Sequence, residues 1–404
     1  MQRLRFSSFL PVAAGLLAAQ LAVAQVPGRP VVSPSLVNLD PGKSKQFKIE
    51  IDGRPAKGVT WSVNDAVGGD NKYGHITRDG VYTAPAVMPK PREVHIHGVI
   101  AKPRPFHVFA TVIIGQEPLR YTFVKRFGER GSGPGKVKDP HGFAFDRDRN
   151  LIITDALDNR VYRFSRQGQY LGEFGSGPGT DNAQFKAPRD VKVDVNGNIV
   201  IADADNYRIQ IFDPAGKFIR MYGKKGSEPG DMKRVHALEY GKDNKLYAVD
   251  VDNSRVMVFD EKGKLLHYWG KDGRGPGEFH DPHGLASDAN GDIFVSNYWG
   301  SLQKFTGDGK YLFEFAVPGQ DIFTHAHAIN GDRWGNVYMM ARDKDNRNAI
   351  VKYNNNGTLI TSWPQPIRPN REWGVKAAIV DHDGTIYVGV ESHDIVGIEV
   401  YEEQ

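Results

Sequence analysis

Short apolar runs separated by Gly- and Asp-rich turns fill the chain from residue 121 onward. The cycle returns every 46 to 48 residues. One cycle reads as an inner run, Gly142-Phe143-Ala144-Phe145, a second run, Leu151-Ile152-Ile153-Thr154, an Asp-rich turn, a third run, Val161-Tyr162-Arg163-Phe164, and an alternating segment closed by an aromatic-Gly pair. That pair recurs at Phe127-Gly128, Phe174-Gly175, Tyr222-Gly223 and Trp269-Gly270, with looser versions near Phe315 and Trp363. Runs this short form strands, and a fixed period of such strands predicts sheets repeated around an axis, hence a six-bladed β-propeller over residues 116–404. The sixth repeat lacks its outermost strand, whereas residues 121–127 supply a spare one. Ring closure by 121–127 would leave no sheet edge unpaired.

Residues 25–115 carry no such period. Gln46-Phe47-Lys48-Ile49-Glu50-Ile51 alternates, Val59-Thr60-Trp61-Ser62-Val63 is centred on Trp, and two longer runs, 93–99 and 108–114, complete the set. The pattern predicts an all-β first domain built as a β-sandwich. His95 and His97 share one face of their strand, a weak signal for a metal. Residues 1–24 combine Arg3 and Arg5 with an apolar run and Ala22-Val23-Ala24, the pattern of a secretory leader. A periplasmic or secreted protein with no integral membrane segment after leader removal is therefore expected.

The composition fits this picture. Forty-five Gly and 24 Pro suit a turn-rich β protein, and a formal net charge of +4 with no Lys/Arg block argues against nucleic acid. Cysteine is absent, so any metal must be held by His, carboxylate or carbonyl groups.

Residues 142–164, 188–212, 235–259 and 282–305 resemble NHL repeats, which implies the six-bladed propeller fold. Gly74-His75-Ile76-Thr77-Arg78-Asp79-Gly80-Val81-Tyr82-Thr83-Ala84-Pro85 resembles the signature of bacterial Ig-like domains, with Trp61 upstream. This resemblance implies a spacer or adhesion unit, with a protein or glycan partner. The recurring Asp-x-x-Asn-x-Arg turns, such as Asp203 to Arg208 and Asp250 to Arg255, read as structural, with Arg expected to bridge neighbouring blades.

The candidate chemistry lies where each inner strand begins. Those positions are His141, Arg189, His236, His283, His327 and, approximately, Val375. His141, His236 and His327 belong to alternate blades, so three imidazoles are expected to converge on the axis as ligands of a catalytic metal with an open position. His283 is a fourth imidazole on the ring, able to ligate, act as a base or bind substrate. Here the chain resembles peptidyl-hydroxyglycine α-amidating lyase, on Pro140-His141-Gly142, Val235-His236-Ala237 and Ala326-His327-Ala328. The resemblance implies Zn2+ on these three histidines, a Ca2+ in the channel, and cleavage of a carbinolamide C–N bond.

The family's tyrosine and arginine have no counterpart in register. Tyr207 is displaced within its loop, and Val390-Glu391-Ser392-His393 holds no Arg. Arg189, Tyr298 and Arg342 are the candidate replacements, with Arg189 steadying an anionic group. The expected function is that of an exported metal-dependent lyase or hydrolase of a small-molecule or peptide-like substrate. Its alternative is a non-enzymatic binding module. A calcium-dependent lactonase-like propeller ranks last, because such sites rest on Glu, Asp and Asn.

Overall fold

The computed structural model describes residues 26–404 except 102–103, 299, 316–322, 344–347, 365–373 and 393–394, and gives the backbone alone at 323–327, 342–343 and 364. The leader expected over residues 1–24 lies outside the described residues. Among the described residues, six four-stranded sheets form the ring. Their inner strands are Pro140–Phe145, Pro188–Val193, Val235–Tyr240, Pro282–Ser287, Phe323–Gly331 and Val375–Val380, in blades one to six. Each inner strand contacts the next, and the sixth contacts the first. Tyr121–Phe127 pairs antiparallel with Val396–Glu403 and completes blade six. No helix among the described residues is long and apolar enough to cross a membrane.

The hydrophobic pattern explains the layers. Second strands such as Leu151–Asp155 and Ile199–Asp203 are buried at every position, because a neighbouring blade covers each face. Outermost strands such as Tyr170–Phe174 and Phe218–Tyr222 alternate, with one face packed and the other in water. The cores accordingly lie between blades. Val200, Ile211, Leu238, Met257 and Phe259 fill the wedge between blades two and three, and Phe143, Tyr162, Phe164, Tyr387 and Ile398 fill the one between six and one.

The repeated Asp-x-x-Asn-x-Arg turn is structural, but its arginine works differently from the expectation. Arg208 bonds Asp203 of its own blade at 2.7 Å and the carbonyls of Thr180, Asp181 and Gln184 in the loop that leads into that blade. The guanidinium fork therefore fastens the Gly-rich connection instead of spanning two sheets.

Before the ring, sheets of five, four and three strands share one core that includes Phe47, Trp61, Tyr82, Ile96 and Val112. This unit is docked on the propeller. Its contacts fall on the turns that follow the inner strands of blades four and five, on the third strand of blade five and the turn after it, and on the far end of blade six. These turns lie at the end of the strands opposite the entering positions. His107 exchanges backbone bonds with the Asn290 side chain, at 2.8 Å each way, and Arg29 pairs with Asp292 at 2.8 Å. At the centre Glu93 forms an ion pair with Lys352, and both are buried. Arg92 N–H donates to Glu403 at 2.7 Å beside them.

The same-face histidines of the 93–100 strand are explained here. His95 stacks on Trp334 of blade five with ring centroids 4.6 Å apart, and His97 bonds His107 at 2.9 Å. Their shared face is the docking face.

Candidate active site at the propeller mouth

Every inner strand opens with a break in the pairing ladder. In blade one Pro140 pairs with Asp155 and Gly142 with Thr154, which leaves His141 between them as an extra residue. The same bulge isolates His236 between Val235 and Ala237, His283 between Pro282 and Gly284, and His327 between Ala326 and Ala328. A bulge releases a side chain from the alternation of its strand and re-aims it. Proline suits the position before the bulge, because the first residue of a strand can forgo an N–H donor.

Blade two carries a longer gap, with both Arg189 and Asp190 between the pairs at Pro188 and Val191. In blade six the extra residue is Lys376, one beyond the expected Val375. Lys376 lies 3.3 Å from Glu391 and 3.7 Å from Asp139. The ring of bulges thus carries histidine in blades one, three, four and five, and a permanent cation in blades two and six.

Three of the rings come together. His141 and His236 have centroids 5.0 Å apart and His236 and His283 4.5 Å apart, each pair edge to face. All three are buried. Each Nδ1 meets a backbone carbonyl: Arg189 O for His141 at 3.0 Å, His283 O for His236 at 3.0 Å, and Asp281 O for His283 at 2.8 Å. A carbonyl can only accept, so each neutral ring is the Nδ1–H tautomer and carries its lone pair on Nε2. This is the orientation that metal-ligating histidines adopt when a backbone carbonyl fixes the second nitrogen.

The spacing can be tested against a shared ion. Two imidazoles on one ion, with metal–nitrogen bonds of about 2.0–2.1 Å, place their centroids roughly 4.5–5.2 Å apart. The observed 5.0 Å between His141 and His236, the two members of the expected set whose side chains are described, falls in that range. Among the described residues, no group of three or more His, Cys, Asp or Glu side chains is placed to hold a metal ion. The side chain of His327, the third member of the expected set, lies outside the described residues, as does that of Arg342.

The remaining candidates are distributed around this mouth. Tyr298 sits 5.4 Å from the His283 ring and donates its backbone N–H to Asp281 O at 3.2 Å. The Arg189 Nε is buried without a hydrogen-bond partner among the described residues. Burial holds His283 below the usual histidine range, and the Arg189 and Arg234 charges push the same way against the pull of Asp281. Tyr207 packs with the apolar core between blades two and three.

Below the rings the wall turns ionic. Lys192 stands 3.7 Å from Asp190 and 3.8 Å from Glu239, and Glu239 accepts from Ser287 at 2.9 Å. Burial opposes the Lys192 charge, yet Asp190 and Glu239 hold its pKa above the ordinary lysine value. Burial raises both carboxylates. Asp190, Lys192 and the three imidazoles line a cavity of about 30 Å3, room for about two waters. Lys192, Glu239 and Lys376 were missed from the sequence, where only histidine repeats visibly at this level.

Residues 231–362 match the DUF5128 family, described as a 6-bladed beta-propeller, and residues 185–212 match the NHL repeat. The ring is a six-bladed NHL-type propeller. Similar solved structures include a structural genomics protein of unknown function from Bacteroides thetaiotaomicron, at 15% identity with a TM-score of 0.52, covering 94% of this chain and 99% of that one. A gluconolactonase from Xanthomonas campestris has 13% identity and a TM-score of 0.51, covering 71% and 98%. A streptogramin B lyase has 15% identity and a TM-score of 0.50, covering 70% and 98%. At these identities the likeness is one of fold. A search of curated proteins finds no match.

Proposed function

We propose that the chain is an exported metal-dependent enzyme, a lyase or hydrolase that breaks a C–N or C–O bond of a small oxygenated substrate at this mouth. The observation that carries the reading is the cluster of buried imidazoles, His141, His236 and His283, each fixed through Nδ1 by a backbone carbonyl with its lone pair left on Nε2. His141, His236 and His327 would hold the ion, zinc being the expected one. When bound, it would supply Lewis acidity to a substrate oxygen.

The protein's own groups have separable tasks. His283 Nε2, kept neutral by burial, is suited to accept the proton that the substrate hydroxyl gives up. Arg189 offers a fork of donors to an anionic group of the substrate, and Tyr298 shapes the wall next to His283. Inner-strand residues of all six blades line the cavity that would receive the reacting group. The N-terminal unit, which resembles a bacterial Ig-like domain, would serve as a presenting element on the other side of the ring, and the leader expected over residues 1–24 would direct the protein to the periplasm or medium.

Elemental analysis of the purified full chain tests the reading. About one zinc per chain is expected, with His236→Ala losing the metal and at least about 100-fold of turnover on whichever substrate is found. A wild-type chain that takes up no zinc after reconstitution, with an unchanged melting temperature, overturns it. Replacing Arg189 by Met should raise KM by about tenfold or more for anionic substrates and leave the metal content unchanged, the loss expected for one charge-assisted contact.

A further inference from the structure

The bond that orients His141 is itself held by a residue outside the mouth. Thr154 is fully buried on the second strand of blade one, opposite Gly142 in the ladder. Its Oγ1 accepts the Gly142 N–H at 2.9 Å and lies 3.3 Å from the Arg189 carbonyl, the same oxygen that takes the His141 Nδ1–H at 3.0 Å. The hydroxyl has one proton, which it gives to that carbonyl. A carbonyl oxygen has two acceptor sites, and these two donors fill them. Glycine at 142 permits the approach: a Cβ there would stand 2.6 Å from Asp190 Cα and 2.7 Å from Arg189 O.

We propose that Thr154 is a positioning residue that fixes the Arg189 carbonyl and thereby locks His141 in the Nδ1–H tautomer, with its lone pair on Nε2. Blades three and four show the contrast among the described residues. The carbonyl that orients His236 belongs to His283, a single-residue bulge pinned by ladder pairs at Pro282 and Gly284 on either side. Blade three accordingly manages with Val249 opposite Ala237. The Arg189 carbonyl sits in the longer gap between Pro188 and Val191, where the residue that follows it, Asp190, has no ladder pair. In blade four the counterpart hydroxyl of Ser296 has no hydrogen-bond partner among the described residues, and His283 turns to Asp281 O in its own loop. Among the described residues, a hydroxyl, a glycine and a receiving gap of two consecutive unpaired residues coincide in blade one.

The inference concerns the geometry of the mouth and stands whether or not a metal binds. Imidazole 15N shifts of the full chain at about pH 8 report each tautomer. His141 is expected as Nδ1–H in the wild type. In Thr154→Val the ratio should move about five- to tenfold toward Nε2–H, the size of one neutral hydrogen bond, with Thr154→Ser restoring it. His236, oriented without a hydroxyl, should keep its tautomer in both variants. An unchanged His141 in a folded Thr154→Val or Thr154→Ala chain overturns the proposal. If neither variant folds, the wild type decides: an exchange-protected Nδ1 proton on His141 supports the lock, and an Nε2–H ring overturns it.

Discussion

Replacing Lys352 by Met should destabilise the protein by about 3–5 kcal/mol, the largest effect of any single change outside the mouth. Lys352 and Glu93 are each almost wholly buried between the N-terminal unit and blade five, and neither has water to fall back on. The pair itself contributes little net stability, because desolvation offsets most of the attraction. Its removal on one side leaves Glu93 a buried carboxylate without its cation, with only Asn336 Nδ2 at 3.5 Å and the His95 ring at 3.7 Å as distant substitutes. The double change Lys352→Met with Glu93→Gln should recover most of the loss. Urea denaturation at neutral pH reads both variants, and a defect in the single variant no larger than about 1 kcal/mol contradicts the assignment. Burial raises the Glu93 pKa, so the defect should narrow as the solution is acidified and Glu93 takes up a proton.

The second large effect is acid weakening of the same junction. Burial lowers the pKa of His95, His97 and His107, with His97 lowered to about 4. In the unfolded chain each titrates near its ordinary value of about 6.5. A depressed native pKa means the unfolded state binds protons first, so the stability present above about pH 6.5 is lost as pH falls toward about 4. For His97 the ceiling is about 3 kcal/mol, and on the order of 2 after screening by solvent at its partly open edge.

The neighbours set the net sign. His97 faces His107 and Ser62, His107 is near Lys242 and Asp288, and His95 is near Glu93, Lys352, Arg333 and Trp334. Glu93 and Glu403, both raised by burial, act in the opposite sense and reduce the fall. Urea midpoints at about pH 7.5 and 4.5 should differ in the direction of lower stability in acid, and His97→Phe, which preserves the stack on Phe109, should flatten the difference. Equal slopes in the wild type and His97→Phe would show that the junction does not sense protons.

Much of this architecture was legible because a propeller repeats its own instructions. The aromatic-Gly pair marked the period in full four times and loosely near Phe315 and Trp363, and the missing strand of the sixth repeat pointed to Tyr121–Phe127. The mouth was legible where histidine itself recurs, at His141, His236 and His283. Lys376 escaped because the bulge shifts the ring position by one residue, and a bulge is a property of two strands rather than of a motif. Thr154 escaped for a related reason: its partner carbonyl belongs to the next blade, 35 residues away. His95 and His97 announced a shared face but not its covering, since nothing local encodes the Trp334 that stacks there.

The closing strand has a consequence for how the protein is made. Tyr121 leaves the ribosome long before Glu403, the residue it pairs with, so the ring stays unlatched through nearly all of vectorial synthesis. Pairing across that separation is slow, and the waiting strand is an adhesive edge in the meantime. Handling of the nascent chain until its last segment arrives, more than the strength of any one sheet, then sets the yield of closed rings.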